Sequence, residues 1–208
     1  MVNRPVGILV TVVLGLSVAS SAFAQTPPTP VVWSHGTTVN LFAGVATASS
    51  DTGPLAGGAF GWEVTPRIAI EGSGSWLDRA DGAGAFAADL KALVNLAPGR
   101  SVMPFLHGGV GMYRAWFDLS QGTLPDFYAD RLEDSAVAVT TPTFTDPSFV
   151  VGGGMNFFVS RHLAVRPDVD WKIVRSHSES YVVTTVNVHL AYHFEDHPIT
   201  PSRLKSGR

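Results

Sequence analysis

Apolar and polar residues alternate most clearly in two segments near the end of the chain, Leu163–Val174 and Tyr181–Phe194. In the first, apolar residues take every second position, and the positions between them hold Arg166, Asp168, Asp170 and Lys172. Successive side chains of a β-strand point to opposite sides, so each segment predicts a strand with one apolar and one polar face. The second segment sets an apolar row from Val182 to Phe194 against Thr185, Asn187, His189 and His193.

The same period predicts six strands upstream and favours no helix anywhere. The eight predicted strands are Thr38–Ala48, Leu55–Val64, Ile68–Trp76, Ala85–Leu96, Val102–Phe117, Ser148–Phe158, Leu163–Val174 and Tyr181–Phe194. Tight turns at Thr65, Ala97 and Ser160 alternate with longer connections at Ser49–Pro54, Leu77–Gly84, Asp118–Pro147 and Arg175–Ser180. Short turns at one end and longer loops at the other are typical of outer-membrane barrels.

Composition decides which face meets which solvent. The chain has 21 Gly, 3 Lys and 15% charged residues, too few charges to cover the outside of a soluble all-β domain. Polar strand positions are filled largely by Gly, Ala, Ser and Thr, which suits the crowded interior of a narrow barrel. The sequence therefore predicts an all-β fold, an eight-stranded antiparallel up-and-down transmembrane β-barrel with its apolar rows facing lipid.

Aromatic residues lie near the strand ends, as in the two girdles of a membrane barrel. Those predicted at the tight-turn end are Trp62, Phe157, Tyr192 and Phe194. Those predicted at the loop end are Trp76, Phe86, Trp116 and Tyr181.

The N-terminus carries an export signal. Arg4 precedes the apolar run Gly7–Val18, and Ala22-Phe23-Ala24 fits a small-x-small cleavage site. The predicted organisation is a signal peptide at 1–24, a Pro-rich lead-in at 25–37, the barrel at 38–194 and a periplasmic tail at 195–208. Cysteine is absent, so an exported chain of this kind needs a large core or a closed hydrogen-bonded barrel instead of disulfides.

Four stretches resemble the small OmpA/OmpX-type outer-membrane β-barrels of Gram-negative bacteria. They are Gly57–Trp62, Thr65–Gly72, Pro104–Tyr113 and Leu163–Asp170. The resemblance spans about Thr38–Phe194 and implies residence in the cell outer membrane, with membrane lipid as the surroundings. It also implies that Leu190, Tyr192 and Phe194 serve as the signal read by the barrel assembly machinery, although Glu195–Arg208 follow that strand. The expected state is a monomer.

The most notable cluster of candidate residues is the charged set on the predicted lumen face. An eight-stranded barrel has little room beyond its own side chains, so buried charges there must pair. The sequence predicts an ion-pair network that fills the lumen, formed by Glu71, Asp89, Lys91, Arg166, Asp168, Asp170 and Lys172. The alternative is a narrow passive pore in the outer membrane.

The long connection Asp118–Pro147 is acidic and predicts a surface-contact segment, with Asp126, Asp130, Glu133 and Asp134 as candidate contact residues. A divalent cation bridging these carboxylates to a lipid or a partner is one form such contact takes. An arginine in each tight turn, Arg67, Arg100 and Arg161, suggests contact with anionic headgroups.

No residue pattern predicts catalysis, a cofactor or a fixed metal site. The string Ser176-His177-Ser178-Glu179 places a glutamate where lipid A deacylases of similar architecture have the serine of their His-x-Ser pair. A net charge of -3 without a basic run argues against nucleic-acid binding. The sequence thus favours a non-enzymatic outer-membrane protein with surface-displayed loops and a structural or contact role. Besides the pore, a soluble lipocalin-like barrel with an apolar ligand inside remains open at this point.

Overall fold

A computed structural model describes residues 36–48, 51–79, 82–122, 124–133, 140–176 and 179–195. The sheet consists of eight strands: β1 Gly36–Ala48, β2 Asp51–Thr65, β3 Ile68–Asp78, β4 Ala83–Asn95, β5 Val102–Phe117, β6 Thr143–Phe158, β7 Leu163–Ser176 and β8 Glu179–His193. One helix, α1, spans Asp126–Glu133 between β5 and β6. The predicted signal peptide, most of the lead-in and the tail beyond Glu195 lie outside the described residues.

Each strand pairs antiparallel with the next along the chain, and β8 pairs with β1 to close the barrel. The closing register sets Thr38 opposite His193 and Thr47 opposite Thr184. Closure gives every strand two neighbours, so the backbone groups that would point into lipid from a sheet edge are paired instead. The predicted eight-stranded, all-antiparallel barrel is confirmed.

Strand ends differ from the prediction at the loop end. β2 continues through Gly53 and Pro54, which pair with Ala46 and Val45 of β1. The connections at 49–50, 79–82 and 177–178 therefore have two, four and two residues, and only 118–142 is long. The expected set of longer loops is wrong there, because pairing within the closed sheet overrides the turn preference of Gly and Pro.

Helix α1 also departs from the prediction, which placed no helix in the connection between β5 and β6. Its Tyr128 is only 1% exposed and packs against Phe117 and Phe144, with ring centroids 5.2 and 4.6 Å away. An eight-residue helix is marginal by itself in water, so this contact with the barrel is what stabilises it. No helix among the described residues is both long enough and apolar enough to cross a membrane.

The two faces of the sheet have opposite character. Outward side chains such as Leu41 and Leu190 are 69% and 53% exposed, while the inward Arg166 and Lys172 are 4% and 5% exposed. Apolar side chains on the outside match lipid, and charged side chains are enclosed. The soluble alternative with an apolar lumen is therefore wrong, because it requires the faces to be reversed.

Apolar side chains gather inside the barrel near both of its ends. At the loop end a cluster of buried residues includes Leu77, Tyr113, Phe117, Tyr128 and Val174. Near the turn end a smaller cluster contains Ala69, Leu93 and Phe105. Tyr181, predicted in the outer girdle, instead joins the loop-end cluster, with its ring 5.4 Å from that of Phe127.

Candidate functional site in the barrel lumen

The lumen is centred on a cross-barrel ion pair between Glu71 of β3 and Arg166 of β7. Arg166 donates from Nη1 to Glu71 Oε2 at 2.7 Å and from Nη2 to Oε1 at 3.0 Å. Asn40 adds a hydrogen bond from Nδ2 to Oε2 at 2.9 Å. In a ring of eight strands, β3 and β7 face each other across the diameter, so this two-fold contact spans the barrel. Its fork geometry is the strong form of an Arg–carboxylate pair.

A second group extends from this pair toward β5. Lys91 Nζ lies 3.3 Å from Glu71 Oε1 and 3.8 Å from Asp170 Oδ2, and His107 Nε2 lies 2.6 Å from Asp170 Oδ1. Gly152 makes room for this group, because a Cβ there would lie 2.6 Å from His107 Nε2 and 2.8 Å from Asp170 Oδ1. The Val169 carbonyl oxygen would be nearer still, at 2.2 Å, so the glycine of β6 is required by the neighbouring backbone as well as by these two side chains.

On the other side of Arg166, Asp168 accepts two contacts. Arg166 Nη2 lies 3.4 Å and His189 Nε2 2.9 Å from Asp168 Oδ2. The His189 ring stacks on Phe42 at 4.5 Å between centroids, and the Arg166 guanidinium lies 5.1 Å from the ring centre of Phe105. An aromatic ring thus packs against each of these two groups beside its polar contacts, as a cation–π contact for Arg166 and as ring stacking for His189.

A separate pair lies nearer the loop end. Lys172 Nζ is 2.6 and 2.8 Å from the two carboxylate oxygens of Asp89. Gly111 on β5 leaves the space for this carboxylate, since a Cβ there would lie 2.3 Å from Asp89 Oδ1.

All seven charged residues that the alternation assigned to the lumen face inward and take part in ion pairs. Four are acids and three are bases, and His107 and His189 each contact one of the acids. Sequence reasoning did not pair these histidines or Asn40 with the network. Their positions in the alternation place all three side chains on inward faces. The alternation does not give each residue's level along the barrel axis, which decides the side chains it contacts.

Apolar groups narrow the lumen on both sides of the ions, and on the turn side the polar side chains of Glu63, Asn95 and His193 share the space with them. On the loop side, Phe127 and Tyr128 of α1 enter the mouth, and Arg79 donates from Nη2 to Tyr113 Oη at 2.7 Å. On the turn side, Leu93 and Phe105 are 5% and 1% exposed. Two cavities of about 20 and 30 Å³ lie within the described lumen, and each has room for about one or two water molecules.

The acidic connection is only partly described. Asp126 is exposed in the first turn of α1, where a carboxylate favours the helix N-terminus. Hydrogen bonds from the Ser120 hydroxyl and backbone amide lower the pKa of the exposed Asp118. The side chains of Asp130 and Glu133, and the whole of Asp134, lie outside the described residues. In the described part of the chain no group of three acidic or histidine side chains is arranged to hold a metal ion.

At the turn end of β8, the candidate assembly residues all face outward. Leu190, Tyr192 and Phe194 are 53%, 47% and 57% exposed, and the Tyr192 and Phe194 rings meet edge to face at 5.3 Å. They form one apolar strip that a neighbouring protein or lipid can contact.

Comparison with known proteins yields one family and several similar structures. The sequence model of the family "Outer membrane protein beta-barrel domain" matches residues 8–194. The N-terminal β-barrel domain of Pseudomonas aeruginosa OprF is 11% identical, covers 76% of this chain and 97% of its own, and gives a TM-score of 0.53. Neisserial surface protein A (NspA) is 11% identical, with 76% and 96% covered and a TM-score of 0.57.

A third similar structure is the outer membrane enzyme PagL, which is 13% identical over 74% of this chain and 98% of its own. Its TM-score of 0.44 is too low to bear on catalysis in this chain. No curated protein sequence gives a significant match.

Proposed function

Because the chain belongs to the outer membrane protein β-barrel family and resides in the outer membrane, we propose that it is a non-enzymatic, non-conducting barrel with a structural or contact role in the envelope. In this role the strands anchor the protein in lipid, and the loop end, above all the connection 118–142, meets the surroundings. Asp126, exposed at that end, and its neighbours Asp130, Glu133 and Asp134 are the proposed contact residues.

The observation that carries the proposal is the closure of the lumen at three levels. Phe127 and Tyr128 fill the loop-end mouth, the network around Glu71 and Arg166 spans the middle, and Leu93 and Phe105 lie below. A hydrated ion needs a continuous path wider than a water molecule, and cavities of about 20 and 30 Å³ do not provide one. Closure of this kind favours a scaffold over the narrow passive pore.

Single-channel recording tests this proposal. Folded protein, verified by its heat-dependent migration on a gel, is added to a planar bilayer in potassium chloride, and its insertion is checked by protease protection. We expect no steady conductance steps. Reproducible steps whose frequency scales with the amount of folded protein would establish the pore and overturn the closed scaffold.

The non-enzymatic part of the proposal rests on access. A hydrolytic site needs a nucleophile, a base and a path for substrate, and the ionic groups around Glu71 and Arg166 are buried inside a narrow lumen. Incubation of the folded barrel with radiolabelled envelope lipids is the direct check, and release of a fatty acid above the level of heat-denatured protein would contradict it.

Assembly and processing complete the proposal. Residues 1–24 are removed on export, 25–37 form a lead-in whose last two residues already belong to β1, 38–194 form the rest of the barrel domain, and 195–208 form a periplasmic tail. The exposed strip Leu190, Tyr192 and Phe194 is recognised by the barrel assembly machinery, and the closed sheet supports a monomeric state because no strand edge is left to pair. Truncation after Phe194 that leaves assembly yield unchanged would support an internal signal, whereas loss of assembly would place the signal in the tail.

A further inference from the structure

Two exposed arginines lie on the outer surface at the loop end, Arg114 on β5 and Arg175 on β7. Arg114 shares the outward face of Met112, and Arg175 shares that of Ile173. Among the described residues neither guanidinium has a carboxylate within salt-bridge distance. A charge on this surface is costly at the midplane of the bilayer and nearly free at the headgroups, so both arginines belong at headgroup level.

The neighbours of Arg114 fix that level. Arg114 pairs with Phe86 of β4, which pairs with Trp76 of β3, and all three side chains point outward. Trp76 contacts Trp116 with centroids 4.6 Å apart. Their contact passes over Gly84, where a Cβ would lie 2.4 Å from the Trp116 ring. Indole rings favour the boundary between hydrocarbon and headgroups, so Arg114 lies beside a fixed aromatic pair at that boundary.

Strand β6 separates the two arginines. Arg114 is opposite Thr145, and the pairing of Ser148 with Val174 places Arg175 beside Pro147. Two strand spacings together with the two-residue offset between Thr145 and Pro147 put their backbones about 12 Å apart, and the exposed Thr145 lies on the strand between them. Of the exposed acids described at this end, Asp78 of β3 is separated from β5 by the intervening strand β4, and Glu179 of β8 pairs with Ser176, one residue beyond Arg175.

From this arrangement we propose that Arg114, Thr145 and Arg175 bind the phosphates of a phosphorylated membrane lipid in the loop-side leaflet. The guanidinium fork suits phosphate, the hydroxyl donates a further hydrogen bond, and two arginines at this spacing serve two phosphates. Trp76 and Trp116 pack beside the part of the lipid that joins headgroup and acyl chain. The site lies outside the barrel and does not depend on whether the lumen conducts.

Native mass spectrometry of the full barrel in an uncharged maltoside detergent tests the site. The probes are lipid A with two phosphates and the same molecule with both phosphates removed. We expect tighter binding of the phosphorylated form, and about 30-fold weaker binding of it by Arg114→Gln/Arg175→Gln. The matched control is Arg67→Gln/Arg100→Gln, which removes the same charge from two exposed turns at the other end of the barrel, where these arginines are expected to meet headgroups of the opposite leaflet. It should stay within about twofold of the parent, and a loss as large as that of the loop-end variant would overturn the assignment to Arg114 and Arg175.

Three other results would overturn the proposal. The double variant at Arg114 and Arg175 could bind phosphorylated lipid as the parent does. Its affinity for the dephosphorylated lipid could fall by the same factor, which would mean that the surface binds the acyl chains rather than the phosphates. Finally, inorganic phosphate at matched ionic strength could displace the lipid, which would make the free anion the ligand. Heat-dependent gel migration confirms that each variant is folded before its binding is compared.

Discussion

Glu71→Gln is a nearly isosteric substitution, yet we expect it to lower the free energy of unfolding strongly. The carboxylate is 2% exposed and is contacted by Arg166 through two hydrogen bonds, by Lys91 at 3.3 Å and by Asn40. Once Glu71 has lost its charge, the one ion pair left to Arg166 among the described residues is the 3.4 Å contact with Asp168. Leaving a buried charge without its partner costs about 3–5 kcal/mol, so E71Q should lose about that amount of unfolding free energy.

Variants of Arg166, alone and combined with Glu71→Gln, measure how strongly the two residues depend on each other. Arg166→Met alone should cost a similar amount, because it leaves Glu71 with Lys91 as its remaining cation. The combination E71Q/R166M removes both charges and fills the space with a similar volume, so its cost should fall short of the sum by at least about 2 kcal/mol.

Urea unfolding in lipid vesicles, followed by tryptophan fluorescence, gives the four free energies of this cycle. Asp126→Asn is the control, since an exposed charge of α1 should change stability by less than about 0.5 kcal/mol. If E71Q and R166M simply added in the double variant, the two residues would not be coupled, and a network that holds the lumen would be refuted.

Three other changes probe the packing and the loop. Gly152→Ala should destabilise by about 1–3 kcal/mol because a Cβ meets the Val169 carbonyl oxygen as well as His107 and Asp170. Gly72→Ala, with nothing within 4 Å of the added Cβ, should be neutral or stabilising. Urea unfolding compares the two variants, and equal effects would contradict the packing argument. Tyr128→Ala should speed protease cleavage within 118–142 while the heat-dependent gel shift is kept, and an unchanged cleavage rate would show that Tyr128 does not hold the connection. Because the pKa of Asp118 is lowered, its contribution to stability is present above the ordinary aspartate pKa and is lost as the pH falls through the lowered value. Ser120→Ala should raise the pKa of Asp118 in a carboxyl NMR titration, because the hydroxyl donor is removed. An unchanged pKa would show that the hydrogen bonds from Ser120 are not the cause.

The fold follows from the sequence because alternate residues of a membrane-barrel strand face lipid and lumen, so apolar and polar residues alternate along the strand. In β7, each of Arg166, Asp168, Asp170 and Lys172 is flanked by residues that face lipid, so a single segment fixes the orientation of the sheet. Strand ends were harder to place. Gly53 and Pro54 favour a turn locally, and only their pairing with β1 keeps them in the sheet.

The site was predictable as a set of residues but not as a set of contacts. The alternation of polar and apolar residues assigns Glu71 and Arg166 to the inside of the barrel. Whether they touch depends on the tilt and stagger of the strands, which cannot be read from the sequence of one strand. Helix α1 does not follow from the sequence, for a related reason. Its segment has too few residues to show a helical period, and the burial of Tyr128 against Phe117 and Phe144 comes from the barrel rather than from the local sequence.

The seam between β1 and β8 has a consequence for how the molecule comes into being. Thr38 meets His193, so the last strand to be synthesised completes the cylinder begun by the first. A nascent chain that lacked β8 would hold the open backbones of β1 and β7 against hydrocarbon, at several kcal/mol for each unpaired group. The pairing of β8 with β1 therefore removes, in one step of the sheet, the unpaired backbone of two strands, and the stability of the wall in lipid depends on this last pairing.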